Sequence, residues 1–379
     1  MELTVRRIGK NERGRFIKLP YRLYADDKNW VPPLFSEMKS MLSEKTNSFL
    51  KSGAHAYFMA FRGGVPAARI LAGFNAPVSE KTGVPNGYFA LFAAQDEESG
   101  LAVLKAAADY CVSLGAARFY GPYSPTNGEE ERALLVDGFD APPVLYTAYN
   151  PPWYQDVFLK FGLRKSHDLL AFMIEVDQLP IERFRRIVGY AQARYGFHAH
   201  RISFDNLEND LRDIQRILKE AAIDQWDTGI PSWELIEQTA GALKSLADPD
   251  FIYIVRTDAG RPIAFVVSIP NYNEALIHLN GRLLPLGFFK FLYWRKRIRS
   301  LRVLMQFSVR DFEGRGAVSS AYLAIMEKAI EKGYKWGEAS TIGEENVRSV
   351  QAVEGAGGRA YRRYRWFEMA LDDRDPKRD

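Results

Sequence analysis

Residues 301–330 read LRVLMQFSVRDFEGRGAVSSAYLAIMEKAI and divide into three parts. The first part, Leu301–Val309, is apolar and rich in β-prone residues, which predicts a buried strand. The second carries Gly314 and Gly316 around Arg315, which predicts a tight turn. In the third, apolar residues recur at helical spacing, which predicts a helix that begins at Ala317 or Val318. A strand, a glycine turn and a helix in this order direct backbone N–H groups towards an anion.

This turn resembles the pyrophosphate loop of the GNAT acyltransferase superfamily, whose two glycines it shares. Glu313 stands where that loop has a basic or amide residue, and Val318 stands where it has a small one. The downstream sequence also resembles a GNAT domain, because a short strand, a helix led by Asn346, Gly357 and a final strand follow in that order. The resemblance therefore extends over half a domain.

The resemblance implies that acetyl-CoA or another acyl-CoA binds at this turn. Among the histidines only His198 and His200 have a spacing that suits a metal, and they lack a third ligand, so we expect no metal site. In GNAT enzymes a backbone N–H at the splayed end of a strand polarises the thioester carbonyl, which corresponds here to the region of Phe307 to Val309. The residues implied to contact the cofactor are Phe307, Val309, Gly314, Arg315, Gly316, Ala317, Val318 and Asn346.

Acid–base residues are harder to assign from the sequence. The tyrosine that protonates the thiolate in many GNAT enzymes corresponds to Val353, which cannot do so. Candidates in its place are Tyr361 and Tyr364, which also suit packing in a last strand. Glu274 is a candidate base that also suits an exposed position.

The order of predicted elements is repeated in the two halves of the chain. The turn at 62–64 corresponds to that at 257–260, and Gly162 corresponds to Gly357. We therefore predict an α/β protein with two tandem GNAT-like acyl-CoA N-acyltransferase domains, each a mixed twisted sheet flanked by helices. The predicted boundaries are 1–178 and 198–372, with a helical linker at 179–197 and a flexible tail at 373–379.

Residues 95–100, QDEESG, replace the glycine turn in the first domain, and their three acids would repel a pyrophosphate. We therefore expect no cofactor there.

Three further stretches resemble a group of bacterial two-domain GNAT-like proteins. They are DDKNWVPPL at 26–34, GFDAPPVLYTAYNPPWY at 138–154 and YRRYRWFEMAL at 361–371. In the first, Trp30 beside two prolines is typical of a pinned surface loop, and it also suits the wall of a pocket.

The segment 283–299, LLPLGFFKFLYWRKRIR, lies in a stretch without acidic residues from Ala275 to Arg310. Its aromatic and basic residues suit a membrane surface, an acyl-chain groove or the phosphates of a cofactor. They equally suit a helix that packs its aromatics on the core. The net charge of +4, the single cysteine and the absence of a leader or spanning segment predict a cytoplasmic protein without a nucleic-acid partner.

The resemblance implies an N-acyltransferase that moves an acyl group, typically acetyl, from coenzyme A to a small amine, an amino acid or a peptide. Two alternatives stay open at this stage. Glu313, Val318 and Val353 favour a catalytically inactive GNAT-like binding protein. The segment Leu283 to Arg299 favours a transferase whose donor is a long-chain acyl carrier or an aminoacyl-tRNA.

Overall fold

The computed structural model describes residues 2–126, 128, 130–221, 233–244 and 247–371. The chain forms two compact units, the first from residues 1–170, 273–295 and 362–379, the second from 171–272 and 296–361. The units are discontinuous in sequence, and the domain boundaries at residues 178, 198 and 372 stay a prediction. The predicted tail at 373–379 lies outside the described residues.

The first unit is built on a mixed sheet with the order β1-β2-β3-β4-β5-β13. Strands β1 to β4 are antiparallel neighbours, β4 and β5 are parallel, and β13 is antiparallel to both β5 and β6. Residues of β7 and β13 are divided between the two units. The strands are β1 (Leu3–Ile8), β2 (His55–Arg62), β3 (Val65–Phe74), β4 (Asn86–Ala94), β5 (Arg118–Gly121), β6 (Leu134–Asp137), β7 (Arg164–Glu175) and β13 (Arg359–Ala370).

Helix α5 connects β4 to β5 and supplies much of the first core. Its apolar residues recur at helical spacing, so one face carries Val103, Leu104 and Ala107 into contact with Phe89 and Phe119 of the sheet. All five side chains are fully buried. The helices of this unit are α1 (Arg13–Leu23), α2 (Phe35–Met41), α3 (Ser48–Ser52), α4 (Ala76–Thr82), α5 (Glu97–Ser113), α6 (Tyr154–Phe161), α10 (Asn273–Leu276) and α11 (Gly287–Arg295).

The second unit repeats this arrangement with the order β8-β9-β10-β11-β12. Its first three pairings are antiparallel and its last is parallel, again with a helix, α12, between the two parallel strands. Its core includes Phe197, Phe251, Ile263 and Phe265, against which Ile325 of α12 packs. Its elements are α7 (Ile181–Tyr195), β8 (Phe197–Arg201), α8 (Leu207–Glu220), α9 (Trp233–Leu243), β9 (Ile252–Thr257), β10 (Pro262–Pro270), β11 (Ser300–Ser308), α12 (Ala317–Glu331), β12 (Trp336–Gly343) and α13 (Val347–Gly355).

Within the described part of the chain, no helix is long and apolar enough to span a bilayer. The two units have the same strand order, and in each of them one helix connects the two parallel strands. This is the mixed sheet flanked by helices that the sequence predicts.

A buried carboxylate holds three cations together in the first unit. Asp168 of β7 is fully buried and accepts hydrogen bonds from Arg365 Nε at 2.7 Å and from Arg363 at 3.0 Å, and Lys165 Nζ lies 3.0 Å away. Burial opposes ionisation of Asp168, but the hydrogen bonds from Arg365, Lys165 and Arg363 outweigh it and hold its pKa well below the usual range. The contribution of Asp168 to stability is therefore present above about pH 4 and is lost as the pH falls through its folded-state pKa.

Asp168→Asn should lower the free energy of unfolding at pH 7 by about 3 kcal/mol, because two arginines lose the charge that compensates them. Urea denaturation at pH 7 measures this, and the gap between wild type and variant should shrink below pH 4. Asp109→Asn, whose carboxylate is exposed and 3.8 Å from Lys105, is the control and should change stability by less than about 0.5 kcal/mol. Equal effects of the two substitutions would contradict the assignment.

Candidate functional site

The predicted glycine turn is present in the second unit. Gly314 and Gly316 have φ angles of 70° and 85°, which a side chain disfavours, and α12 begins directly after Gly316 without a side-chain cap. Gly314 and Arg315 are exposed. The guanidinium of Arg315 lies over the rings of Tyr195 and Phe312, 5.3 and 5.5 Å from their centroids. The start of α12 therefore has the backbone geometry that suits an anion.

Strands β11 and β12 separate next to this turn. Their pairing ends at Val303 and Ala339, although β11 continues to pair with β10 up to Ser308. The register with β10 shifts at this point, which makes Leu304 the extra residue of a β-bulge. Val309 donates its N–H to the carbonyl of Ile263 at 2.9 Å, whereas Leu304 to Ser308 border the gap between the strands. Sequence reasoning placed the polarising N–H near Phe307 to Val309 and missed the bulge.

The remaining predicted site residues are divided between the units. Asn346 opens α13 and its side chain accepts the N–H of Ser349 at 3.2 Å. In the second unit the hydroxyl of Tyr361 donates to Glu338, which is fully buried beside Arg302 in the β11–β12 pair. Tyr364 and Glu274 belong to the first unit, where Tyr364 is buried and Glu274 is half-buried. The structure does not bring these three catalytic candidates together within one unit, and their roles stay a prediction.

Two small adjoining cavities lie within the first unit, with volumes of about 60 and 30 Å³. Both are lined by Trp30, Pro33, Met38, Glu131 and Tyr149, so we treat them as one feature, the Trp30 cavity. Its other walls combine apolar groups with a few ionisable side chains. The ionisable residues that complete it are Glu37, Glu130, Tyr21, Tyr24 and Arg69.

The walls of the Trp30 cavity hold strained backbone. Leu91, Glu131 and Tyr146 have φ angles of 53°, 57° and 67°, and all three line it. Leu91 lies in the bulge of β4, where the register with β3 shifts, so it is the counterpart of Leu304 in the second unit. Left-handed backbone at non-glycine residues costs about 1 kcal/mol or more each and concentrates at functional sites. Strain of this kind marks the cavity as a candidate site.

Ionisable side chains are also enclosed in this cavity. Burial, together with the charges of Glu130 and Glu131, raises the pKa of Glu37 to about 7. Burial likewise raises the pKa of Glu131, although the nearby Arg69 opposes this. Arg69 is buried, donates to the carbonyl of Phe16 at 2.8 Å and lies 4.9 Å over its ring. The cavity therefore holds a carboxyl group that is poised to exchange a proton near neutral pH.

Trp30 is held in the wall by aromatic neighbours. Its ring meets those of Tyr21 and Tyr24 edge-on, with centroids 5.1 and 5.3 Å away. Tyr149 donates to Asp27 Oδ2 at 2.8 Å and so fixes the loop that carries Trp30. The sequence left two interpretations of Trp30 open, a pinned surface loop and the wall of a pocket. The structure shows both, because the loop is held in place and Trp30 lines the cavity.

No group of three or more histidine, cysteine, aspartate or glutamate residues in the described ranges is arranged to hold a metal ion. Sequence reasoning named Trp30 as a candidate pocket wall but did not predict the carboxylates beside it. A further signal was the run of three glutamates at 129–131 directly after Gly128.

Comparison with known structures defines the class of protein first. A tandem GNAT protein from the clavulanic acid biosynthesis pathway is similar in fold, with a TM-score of 0.58 over 99% of this chain and 100% of that one, at 13% identity. The chain therefore has the fold of the GNAT acyltransferases, as the glycine turn and the repeated strand order indicated. No protein-family model matches it.

Sequence comparison then defines the family. The chain is 32% identical over 370 residues to the bacterial ceramide synthase of Caulobacter vibrioides, covering 95% of each protein. It is also 32% identical over 374 residues to protein YghO of Escherichia coli, covering 96% of this chain and 94% of that one. The chain belongs to the family of these two proteins.

The two glycines of the turn differ in what an added methyl group would meet. At Gly314 a Cβ would meet open space, whereas at Gly316 it would lie 2.9 Å from the Cβ of Ala191 in α7. Gly314→Ala should therefore lower the free energy of unfolding by about 1 kcal/mol through its φ angle alone. Gly316→Ala should lower it by about 2 to 4 kcal/mol, because crowding against α7 is added. Urea denaturation of both variants measures this, and equal losses would show that α7 does not pack on the turn.

The raised pKa of Glu37 makes the free energy of unfolding depend on pH. The pKa of Glu37 is about 7 in the folded protein against an ordinary value of 4.5, so its stabilising contribution is lost as the pH rises through 7. Glu37→Gln should therefore be more stable than wild type by about 2 kcal/mol at pH 8.5, and this advantage should vanish near pH 4.5. Glu80→Gln at an exposed position is the control. A stability difference between Glu37→Gln and wild type that does not vary with pH would contradict the raised pKa of Glu37.

Proposed function

We propose that this protein is an N-acyltransferase that joins a fatty acyl group to the amine of a long-chain base, giving a ceramide-type amide. The observation that carries the proposal is 32% identity along 95% of the chain to a protein named bacterial ceramide synthase. The GNAT fold supports it, because this fold serves acyl transfer to amines.

The glycine turn supports an acyl-CoA as the donor. The exposed turn and the uncapped start of α12 suit a pyrophosphate, which the N–H groups around Gly316 and Ala317 would receive. The gap between β11 and β12 next to it suits the extended arm of the coenzyme, and the bulge at Leu304 suits the thioester. When bound, the coenzyme supplies an activated acyl group.

Glu313 is exposed and makes no ion pair among the described residues, so its charge weakens this site without abolishing it.

The Trp30 cavity supports an amine as the acceptor. The larger of its two cavities, with a volume of about 60 Å³, is large enough for an ammonium group. Glu37 provides negative charge for that group in its carboxylate form, above about pH 7, while Met38 and Leu276 line the same cavity with apolar surface. Donor and acceptor sites lie in different units, so the proposal requires that thioester and amine meet during turnover.

Acyl transfer from an ammonium substrate removes two protons from the nitrogen, of which one goes to Glu37 and on to solvent and the other ends on the sulfur. An ammonium group first loses a proton to Glu37, whose carboxylate form is available above pH 7. The free amine attacks the thioester carbonyl, a C–N bond forms and the C–S bond breaks. The nitrogen then loses its second proton and the leaving thiolate gains one, so amide and free coenzyme A appear in equal amounts.

The test supplies the full-length protein with palmitoyl-CoA and sphinganine in mixed micelles. Thiol release and N-acyl product, measured by a thiol reagent and by mass spectrometry, should rise together, and the rate should increase with pH through about 7. Glu37→Gln should lower the rate by about 100-fold and remove this pH dependence, whereas Glu80→Gln should change neither.

The competing substrates are acetyl-CoA with soluble amines and peptides. Faster turnover of those pairs, or no amide from any acyl-CoA while coenzyme A still binds, would overturn the proposal. The second result would favour a catalytically inactive binding protein.

A further inference from the structure

Exposed apolar side chains are concentrated in one short segment of the first unit. Of the large apolar side chains that are exposed in the described residues, those outside this segment are scattered along the sequence. Within residues 284–293, Leu284, Leu286, Phe289 and Tyr293 are 76%, 71%, 68% and 53% exposed, and Phe288 and Leu292 are exposed as well. Clustered apolar exposure of this kind marks an interaction surface.

Leu284 and Leu286 precede helix α11, which presents the other four exposed residues on one side. Phe288 and Leu292, and likewise Phe289 and Tyr293, are four residues apart, so the two pairs form adjacent rows on the helix. The other side is anchored to the first unit, since the ring of Trp294 stacks on His278 with centroids 3.7 Å apart. No residue of α11 is buried. The helix is therefore held on the side of Trp294, whereas Phe288, Phe289 and Tyr293 are exposed to solvent and do not pack on the core.

The charged residues of this segment all have the same sign. Arg282, Lys290 and Arg295 are exposed in the same segment, and the chain continues directly with Lys296 and Arg297. The sequence has no acidic residue between Ala275 and Arg310. An apolar surface surrounded by cations is complementary to a bilayer surface with anionic headgroups, into which aromatic and aliphatic side chains insert at the level of the headgroups.

We propose that residues 282–297, the α11 segment, dock this protein onto the surface of an anionic lipid bilayer. The exposed side chains Leu284, Leu286, Phe289 and Tyr293 enter the interface, and the flanking lysines and arginines contact lipid phosphates. A second copy of the chain is a poorer occupant, because it would bring the same cations together. The inference rests on exposure and charge alone and does not depend on the proposed acyl transfer.

Sedimentation of the full-length protein with vesicles tests the proposal. Binding should be strong to vesicles of three parts phosphatidylcholine to one part phosphatidylglycerol, weak to phosphatidylcholine alone, and reduced at 0.5 M salt. The triple variant Leu284→Ser, Leu286→Ser, Phe289→Ser should bind at least about tenfold more weakly. Lys290→Glu with Lys296→Glu should lose at least about tenfold on anionic vesicles at low salt.

Matched controls come from apolar residues exposed elsewhere. Val65→Ser, Ile330→Ser and Val347→Ser remove as many exposed apolar side chains and should leave vesicle binding unchanged. Circular dichroism and melting temperature confirm that each variant is folded. Equal vesicle binding by both triple variants overturns the proposal. So does a wild-type dimer in solution that the α11 variant converts to monomer without any vesicle binding by either protein. Acyltransferase activity is read separately, on micellar substrates, so failure of one proposal leaves the other testable.

Discussion

The parallel pairing between two central strands stops early in both units, and the candidate sites depend on this. In the first unit β4 and β5 pair over Asn86–Tyr88 and Arg118–Tyr120, and in the second β11 and β12 pair over Ser300–Val303 and Trp336–Ala339. Parallel strands need a long crossover, which α5 and α12 provide. Each helix therefore starts beyond the carboxyl end of a strand that has lost its partner, where free backbone groups and a helix N-terminus lie close together.

The two units use this shared geometry differently. In the first, Asp96 caps α5 by accepting the N–H of Ser99 at 2.8 Å, and Arg62 lies 3.2 Å from the same carboxylate. A carboxylate thus occupies the place that a phosphate would need. In the second, glycines with positive φ replace the cap, and the start of α12 carries no anionic side chain of its own. One unit has satisfied its helix with its own chain, and the other has kept the position suited to a ligand.

The sequence predicted those parts of the structure that are encoded locally. Gly314, Gly316 and the helix after them are adjacent in the chain, so their spacing alone indicates a turn and a helix start. The same is true of Asn346, whose side chain caps the helix that it opens. The repeated strand order was also visible, because each strand pair flanks its own turn.

The Trp30 cavity could not be predicted in this way. Glu37 lies in α2, whereas Glu131 and Tyr149 lie about a hundred residues further along the chain, in segments that connect helices and strands. Their proximity depends on the fold of the whole first unit. The bulges at Leu91 and Leu304 are equally hidden, because a bulge is a property of the register between two strands and leaves no mark in the composition of either.

Neither the α11 segment nor the Trp30 cavity contributes all the stability that its residues could provide to the folded chain. Apolar side chains left in water forgo the free energy that burial would give them, about 25 cal/mol for each Å². Left-handed backbone at Leu91, Glu131 and Tyr146 and the raised pKa of Glu37 are further unfavourable contributions. Buried cores such as that around Phe89 and Phe119 offset them. An amine bound in the Trp30 cavity and a bilayer at the α11 segment, as proposed above, would return this free energy on binding.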